Sequence, residues 1–147
     1  MMEQATRRLA IDDVAAVAQL ERDARAGLLD QRGGPAHLAE REAVGEWGAL
    51  VGNADRPVWV STIDDVVLGY LELAIIGDTA RVMQVYVEPE AREIGFGDWL
   101  LEAAIEEARG RGCRVIEGFA LPGDRATKNL YERAGITARK ITVSKAL

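Results

Sequence analysis

Between Pro57 and Pro89 the chain takes up a period of two and keeps it for three consecutive runs. Val58-Trp59-Val60-Ser61-Thr62 reads as a strand, Asp64-Asp65 as a hairpin turn and residues 66–76 as a long strand. Gly77-Asp78 reads as a second turn and residues 79–87 as another strand. Strands joined by two-residue turns are antiparallel neighbours, so this block dictates a sheet of at least three antiparallel strands. Past Pro89 the period becomes helical: residues 96–109 place Leu100, Leu101, Ala104, Ile105 and Ala108 inward before Gly110 and Gly112 end the run. A short buried strand follows at 115–120. The crossover from Val87 through this helix to Val115 makes its two flanking strands parallel neighbours.

The flanks complete the order. Residues 4–10 are strand-like, and Ile11-Asp12-Asp13 offers an N-cap to a helix over 14–26, whose apolar face carries Val14, Val17, Ala18 and Leu20-Glu21, with charge opposite. Gly33-Gly34-Pro35 is a turn, and 37–51 reads as a second, less regular helix around Val44, Trp47 and Leu50. Toward the C-terminus, Pro122-Gly123-Asp124 is a loop with a cap, 125–134 a helix closed by Gly135, and 136–145 a final strand. The order is β-α-α-β-β-β-α-β-α-β, an α/β chain of the α+β type with helices packed on a mixed, mainly antiparallel sheet. Its 147 residues fit one domain over 1–147.

Composition narrows the function classes. Apolar residues make up 48% and charged ones 29%, which suits a folded globular chain. No apolar stretch approaches the roughly 18–20 residues of a membrane span, and the N-terminus lacks a signal-peptide core, so a soluble cytoplasmic protein is expected. Cys113 and His37 are the only residues of their types, which excludes an internal disulfide, a Cys-rich zinc site and a paired-histidine metal site; no metal is expected. A net charge of −6 disfavours nucleic acid and anionic membranes and mildly favours cationic partners. Fifteen of the 18 basic residues are arginine, so a lone arginine carries less functional weight than usual.

The chemistry concentrates in the segment from Val85 to Leu100. A strand ends at Val87, a short loop carries Arg92, Ile94, Gly95, Phe96 and Gly97, and a helix begins at once. Such a junction exposes unpaired backbone N–H groups and the positive end of the helix dipole, which together hold an anionic phosphate. A dinucleotide fingerprint would need glycine where the chain has Leu100, and a Walker loop would need Gly-Lys-Ser/Thr. Taken alone, R-x-x-G-x-G also fits two glycines at a helix start beside a solvated arginine.

Context adds to the motif. With V-Y-V-x-P ahead, an amphipathic helix and short strand behind, and then Asn129-Leu130-Tyr131-Glu132-Arg133-Ala134-Gly135, the stretch from about Val58 to Gly135 resembles the GNAT superfamily of acyl-CoA-dependent N-acyltransferases. The resemblance implies a central pair of splayed parallel strands, with helices on both faces of the sheet. Pantetheine would lie along the backbone of Val85 and Val87, and the CoA pyrophosphate would sit on Arg92 and the amides from Ile94 to Gly97. Two positions depart from the family pattern: Ile94 stands where a basic or polar residue is frequent, and Asp124 where the second helix usually opens with asparagine. Arg125 and Lys128 would compensate for that aspartate beside an anionic cofactor.

By the same resemblance Tyr131 donates a proton to the departing CoA thiolate, against the alternative of an aromatic filling a sheet–helix interface. Glu117, on the short strand, is the first candidate for the base that deprotonates the amine; Glu72, within an otherwise apolar strand, is the second, and a water relay the third. His37 falls in the region that walls the acceptor site. The implied activity is transfer of acetyl from acetyl-CoA to a primary amine of a small molecule or peptide by direct attack; the alternative is an acyl-CoA-binding sensor without turnover. Twelve residues after Gly135 leave room for one strand where the family commonly has two, which predicts an open sheet edge and a homodimer covering it.

Overall fold

A computed structural model describes residues 2–147. Its elements are β1 (Gln4–Arg8), α1 (Val14–Gly27), α2 (Gly34–Glu40), β2 (Val58–Ile63), β3 (Val66–Ile76), β4 (Thr79–Val87), α3 (Phe96–Gly110), β5 (Val115–Glu117) and α4 (Arg125–Arg133). The five strands form one sheet in the order β1-β2-β3-β4-β5, antiparallel except for the β4–β5 pair. The β2–β3 turn places Asp64 and Asp65 at φ 48° and 65°, the left-handed pair that a two-residue hairpin with the sheet's own twist requires.

Helices cover both faces, which is why β2 is buried along most of its length rather than on alternate residues. On one face Leu71, Leu73 and Val82 pack with Phe96, Leu100, Leu101 and Ala104 of α3 and Leu130 of α4. On the other, Val58, Val60 and Tyr70 pack with Val17 and Leu20 of α1 and with Trp47. Full burial of an aliphatic side chain contributes about 1.5–3 kcal/mol, so these two layers dominate the stability of the sheet.

Four sequence expectations are corrected. The span 37–51 is not one helix: α2 ends at Glu40, Arg41 is extended at φ −129°, Gly45 turns left-handed at φ 70°, and only a 3₁₀ turn, Trp47–Leu50, follows. Asp13 does not cap α1 with its side chain; its carboxylate reaches back to the Ala10 N–H at 2.8 Å and pairs with Arg7, whose guanidinium holds that carboxyl below the usual carboxylate range. The strand expected over 115–120 pairs only from Val115 to Glu117. Residues 136–145 form no strand: Ile141 and Val143 are 82% and 88% exposed, and β5 is left as the sheet edge. Periodicity supplied the alternation for that strand, but no described neighbour supplies the ladder.

Candidate active site

The β4–β5 ladder runs through Thr79, Ala80 and Arg81 against Val115, Ile116 and Glu117, and then stops. At that level β4 carries a bulge: Glu72 faces Gln84 and Leu73 faces Val82, so Met83 has no partner on β3. A bulge adds local twist and bends its strand, which turns the C-terminal half of β4 away from β5. The carbonyls of Met83 and Val87 both accept from arginine side chains, Arg41 at 3.1 Å and Arg92 at 2.9 Å, so this stretch of β4 presents its backbone to a gap instead of to a strand. The gap opens into a cleft of about 1310 Å³ whose wall includes Val85, Val87, Arg92, Gly97 and Tyr131.

The loop after β4 is built for a turn into a helix. A 3₁₀ turn, Pro89–Ile94, runs into Gly95 at φ 99°, a conformation that strains any residue with a Cβ, and α3 starts at the next residue. The first turn of α3 faces the cleft through Gly97, so its free N–H groups and dipole favour an anion there. A Cβ on Gly97 would lie 3.4 Å from Leu130, in ordinary contact, so only a bulkier side chain there would press on α4. Phe96 is fully buried in the core and has only its backbone to offer, and Ile94 is 40% exposed and lies outside the cleft wall. Arg92 turns back on the strand, its guanidinium lying over the Tyr86 ring at 5.4 Å. Arg125 and Lys128 do not line the cleft, and the Lys128 ammonium donates to the Pro122 carbonyl at 3.0 Å.

Tyr131 and Thr127 both face the cleft from α4. Asp124 caps that helix, its carboxylate accepting from the Thr127 N–H at 3.0 Å and the Thr127 hydroxyl at 2.6 Å. The tyrosine ring packs against Gly118, just past the end of β5, where an added Cβ would overlap its hydroxyl. Burial, reinforced by the Asp124 carboxylate, pushes the Tyr131 phenol well above its ordinary value, while the Phe119 backbone amide acts weakly the other way. The group is a protonated donor throughout the physiological range.

The two candidate bases part company. Glu117 is 45% exposed and lies outside the cleft wall, its carboxylate clasped by Arg81 at 2.7 Å. Glu72 is 2% exposed and faces the cleft, held by Arg56 and by the Gln84 amide at 3.0 Å. The same Gln84 nitrogen donates to Glu21 at 2.9 Å, and the Gln84 oxygen accepts from the Tyr70 hydroxyl at 2.6 Å. Glu21 further accepts from the Val44 N–H at 3.0 Å and the Trp47 indole at 3.1 Å. Of this network the sequence singled out Glu72 alone as a candidate base. Glu21 stands seven residues after Val14 and four after Val17, the spacing of the buried face of α1, so its inward direction was open to inspection in the sequence.

The N-terminal wall closes the cleft from above the gap. Gly33, at φ 85°, lets the chain pass close to Pro122, where an added Cβ would sit 2.7 Å from the proline ring. The His37 ring packs on Phe119 with centroids 4.9 Å apart, and burial, helped by Arg41, keeps the imidazole below its usual pKa and therefore neutral at pH 7. Arg41 extends across the gap itself.

Comparison with known proteins agrees with this geometry. Residues 16–136 match the acetyltransferase (GNAT) family. The chain belongs to that family. A 64-residue stretch is 28% identical to an uncharacterized N-acetyltransferase of Methanocaldococcus jannaschii, covering 44% of this chain and 28% of that relative's length. The GNAT fold is shared along the whole chain with the aminoglycoside N-acetyltransferase AAC(6')-Iy in complex with the bisubstrate analogue CoA-S-monomethyl-acetylneamine, at TM-score 0.69 and 17% identity over 99% of both chains. A Bacillus halodurans protein superposes at TM-score 0.77, with 18% identity over 97% of this chain and 99% of its own. A Trypanosoma brucei acetyltransferase superposes at 0.70, with 19% identity over 99% and 100%. Among the described residues no helix is long and apolar enough to cross a membrane.

Proposed function

We propose that this GNAT chain transfers acetyl from acetyl-CoA to a primary amine by direct attack, without a covalent enzyme intermediate. The observation that carries the reading is the unpaired edge of β4 directly beyond the Arg81–Glu117 rung, walled by a protonated, buried Tyr131 and leading to a helix N-terminus. An extended pantetheine arm has amide groups that pair with the backbone of Val85 and Val87 as a strand would. Its pyrophosphate then reaches the amides from Ile94 to Gly97 and, once Arg92 releases Val87, the Arg92 guanidinium. Arg125 and Lys128 contribute at longer range through their charge.

Direct attack on a thioester builds charge on the carbonyl oxygen and then on sulfur. Backbone N–H groups on the free edge stabilise the first, and the Tyr131 hydroxyl donates to the second as the carbon–sulfur bond breaks. The amine's proton leaves on the other side of the cleft, through water, to the network of Glu21, Gln84 and Glu72. That assignment places Glu72 as a relay partner, since Arg56 and Gln84 already occupy its oxygens. A negatively charged chain suits a cationic acceptor. The shared fold with aminoglycoside acetyltransferases puts aminoglycosides in the screen beside polyamines, amino acids and peptide N-termini.

The test has two arms. Calorimetry with CoA and acetyl-CoA is expected to give saturable binding, and a thiol-release screen over those amine classes is expected to give turnover with at least one. Binding without thiol release from any amine would support the sensor alternative; no binding would remove the cofactor site. We further propose that the protein works in the cytoplasm as a homodimer covering the open β5 edge, without nucleic acid, membrane or metal.

A further inference from the structure

Carrying the β4–β5 register two residues past its last rung sets Met83 opposite Phe119. They do not pair, because Arg41 stands between them. Its Nη1 donates to the Met83 carbonyl at 3.1 Å, its Nη2 lies 3.7 Å from the Met83 sulfur, and its guanidinium carbon lies 5.6 Å from the centre of the Phe119 ring. One side chain thus spans the gap just beyond the ladder, from Met83 on β4 to Phe119 past the end of β5. The other end of the free edge is the Val87 carbonyl, four residues or about 13 Å away.

If the acyl-CoA arm lies along this edge, as proposed above, its direction is fixed: the phosphates sit at the start of α3, beyond Val87, and the acyl group points past Val85 toward Met83. We propose that Arg41 is a specificity-determining residue that closes the acyl end of the slot and limits the transferred group to acetyl. A longer alkyl chain must push the arginine out, break its bonds to Met83, strip it from the Phe119 face and leave the Met83 carbonyl beside hydrocarbon without a donor. Nor is the arginine free to drift. The segment that carries it is anchored on the β5 side by Gly33 against Pro122 and by His37 on Phe119.

The decisive measurement is the affinity of wild type, Arg41→Ala and Arg41→Lys for CoA, acetyl-CoA, butyryl-CoA and hexanoyl-CoA by calorimetry, which needs no acceptor. Wild type is expected to bind hexanoyl-CoA at least tenfold more weakly than CoA and acetyl-CoA. Arg41→Ala is expected to bring hexanoyl-CoA to within threefold of CoA while CoA itself changes less than twofold. Arg41→Lys, which keeps a charge but loses the planar group, falls between. Wild-type protein that binds hexanoyl-CoA as tightly as CoA overturns the proposal even if the alanine variant does not fold. Equal discrimination in wild type and a folded Arg41→Ala overturns it too. Failure of wild type to bind CoA at all removes the underlying cofactor reading instead.

Discussion

Arg81 and Glu117 face each other as the last rung of the parallel ladder, and their side chains close into an ion pair at 2.7 Å. Both are nearly half exposed, so the pair clasps two strands at the point where they begin to separate. The carboxylate that the short strand offers as a base is committed to this clasp and lies outside the cleft wall.

Glu117→Gln is therefore expected to leave turnover within about threefold of wild type across the neutral range. Exposed ion pairs contribute about 0–1 kcal/mol, so the melting temperature should move by only a few degrees. A loss of 10²–10³ in turnover, the size expected on removing a general base, would return Glu117 to catalysis.

Tyr131→Phe should lower turnover about 10–10³-fold while acetyl-CoA affinity changes little, since in the proposed mechanism the hydroxyl acts on charge that appears only as the thiolate departs. The raised phenol pKa adds a pH signature. A group held above its ordinary value of about 10 stays protonated there, so the wild-type rate should show no fall from phenol ionisation up to that pH. Full activity in the phenylalanine variant, with chemistry rate-limiting, would make Tyr131 a packing residue.

How much of this was legible depends on which interactions are local. The hairpins of β2, β3 and β4 follow from alternation and two-residue turns, and α3 follows from its apolar spacing and terminal glycines, so all four elements appear within a residue or so of their expected bounds. The failures are non-local. Residues 118–120 find no ladder partner, because the Met83 bulge bends β4 and the Arg41 side chain fills the space between Met83 and Phe119. The inward direction of Glu21 follows from the spacing of α1, but its partners Val44, Trp47 and Gln84 lie 23, 26 and 63 residues away in the chain and are not readable from that spacing. The glycine loop was readable because it is contiguous, whereas Arg41 reaches Met83 across 42 residues and left no local mark.

The two loop glycines should separate in experiment. Gly95 adopts φ 99°, so Gly95→Ala should cost about 1–2 kcal/mol of stability from backbone strain alone. Gly97→Ala places its Cβ in ordinary contact with Leu130, so the melting temperature should hold within a few degrees. A bulky Gly97→Leu should both lower stability, by pressing on α4, and weaken acetyl-CoA at least tenfold, about 1.4 kcal/mol. Thermal melts and calorimetry on the three variants distinguish the roles; unchanged affinity in a folded Gly97→Leu protein would move the phosphates elsewhere.

The tail after Gly135 bears on the assembly. Ile141 and Val143 keep the alternation of a strand yet stand 82% and 88% exposed, and β5, three residues long with Val115 51% exposed, has no described strand on its outer side. Unpaired edges and alternating exposed apolar residues favour pairing with another chain, and a second copy of this one offers the same edge and the same tail. A homodimer is expected at micromolar concentration by light scattering. Replacing both Ile141 and Val143 by lysine would place two charges per tail at that contact without touching either core layer, and should shift the species toward monomer with little change in the melting temperature at low protein concentration. A strictly monomeric wild type, or a dimer indifferent to both lysines, would show that the tail does not make the interface.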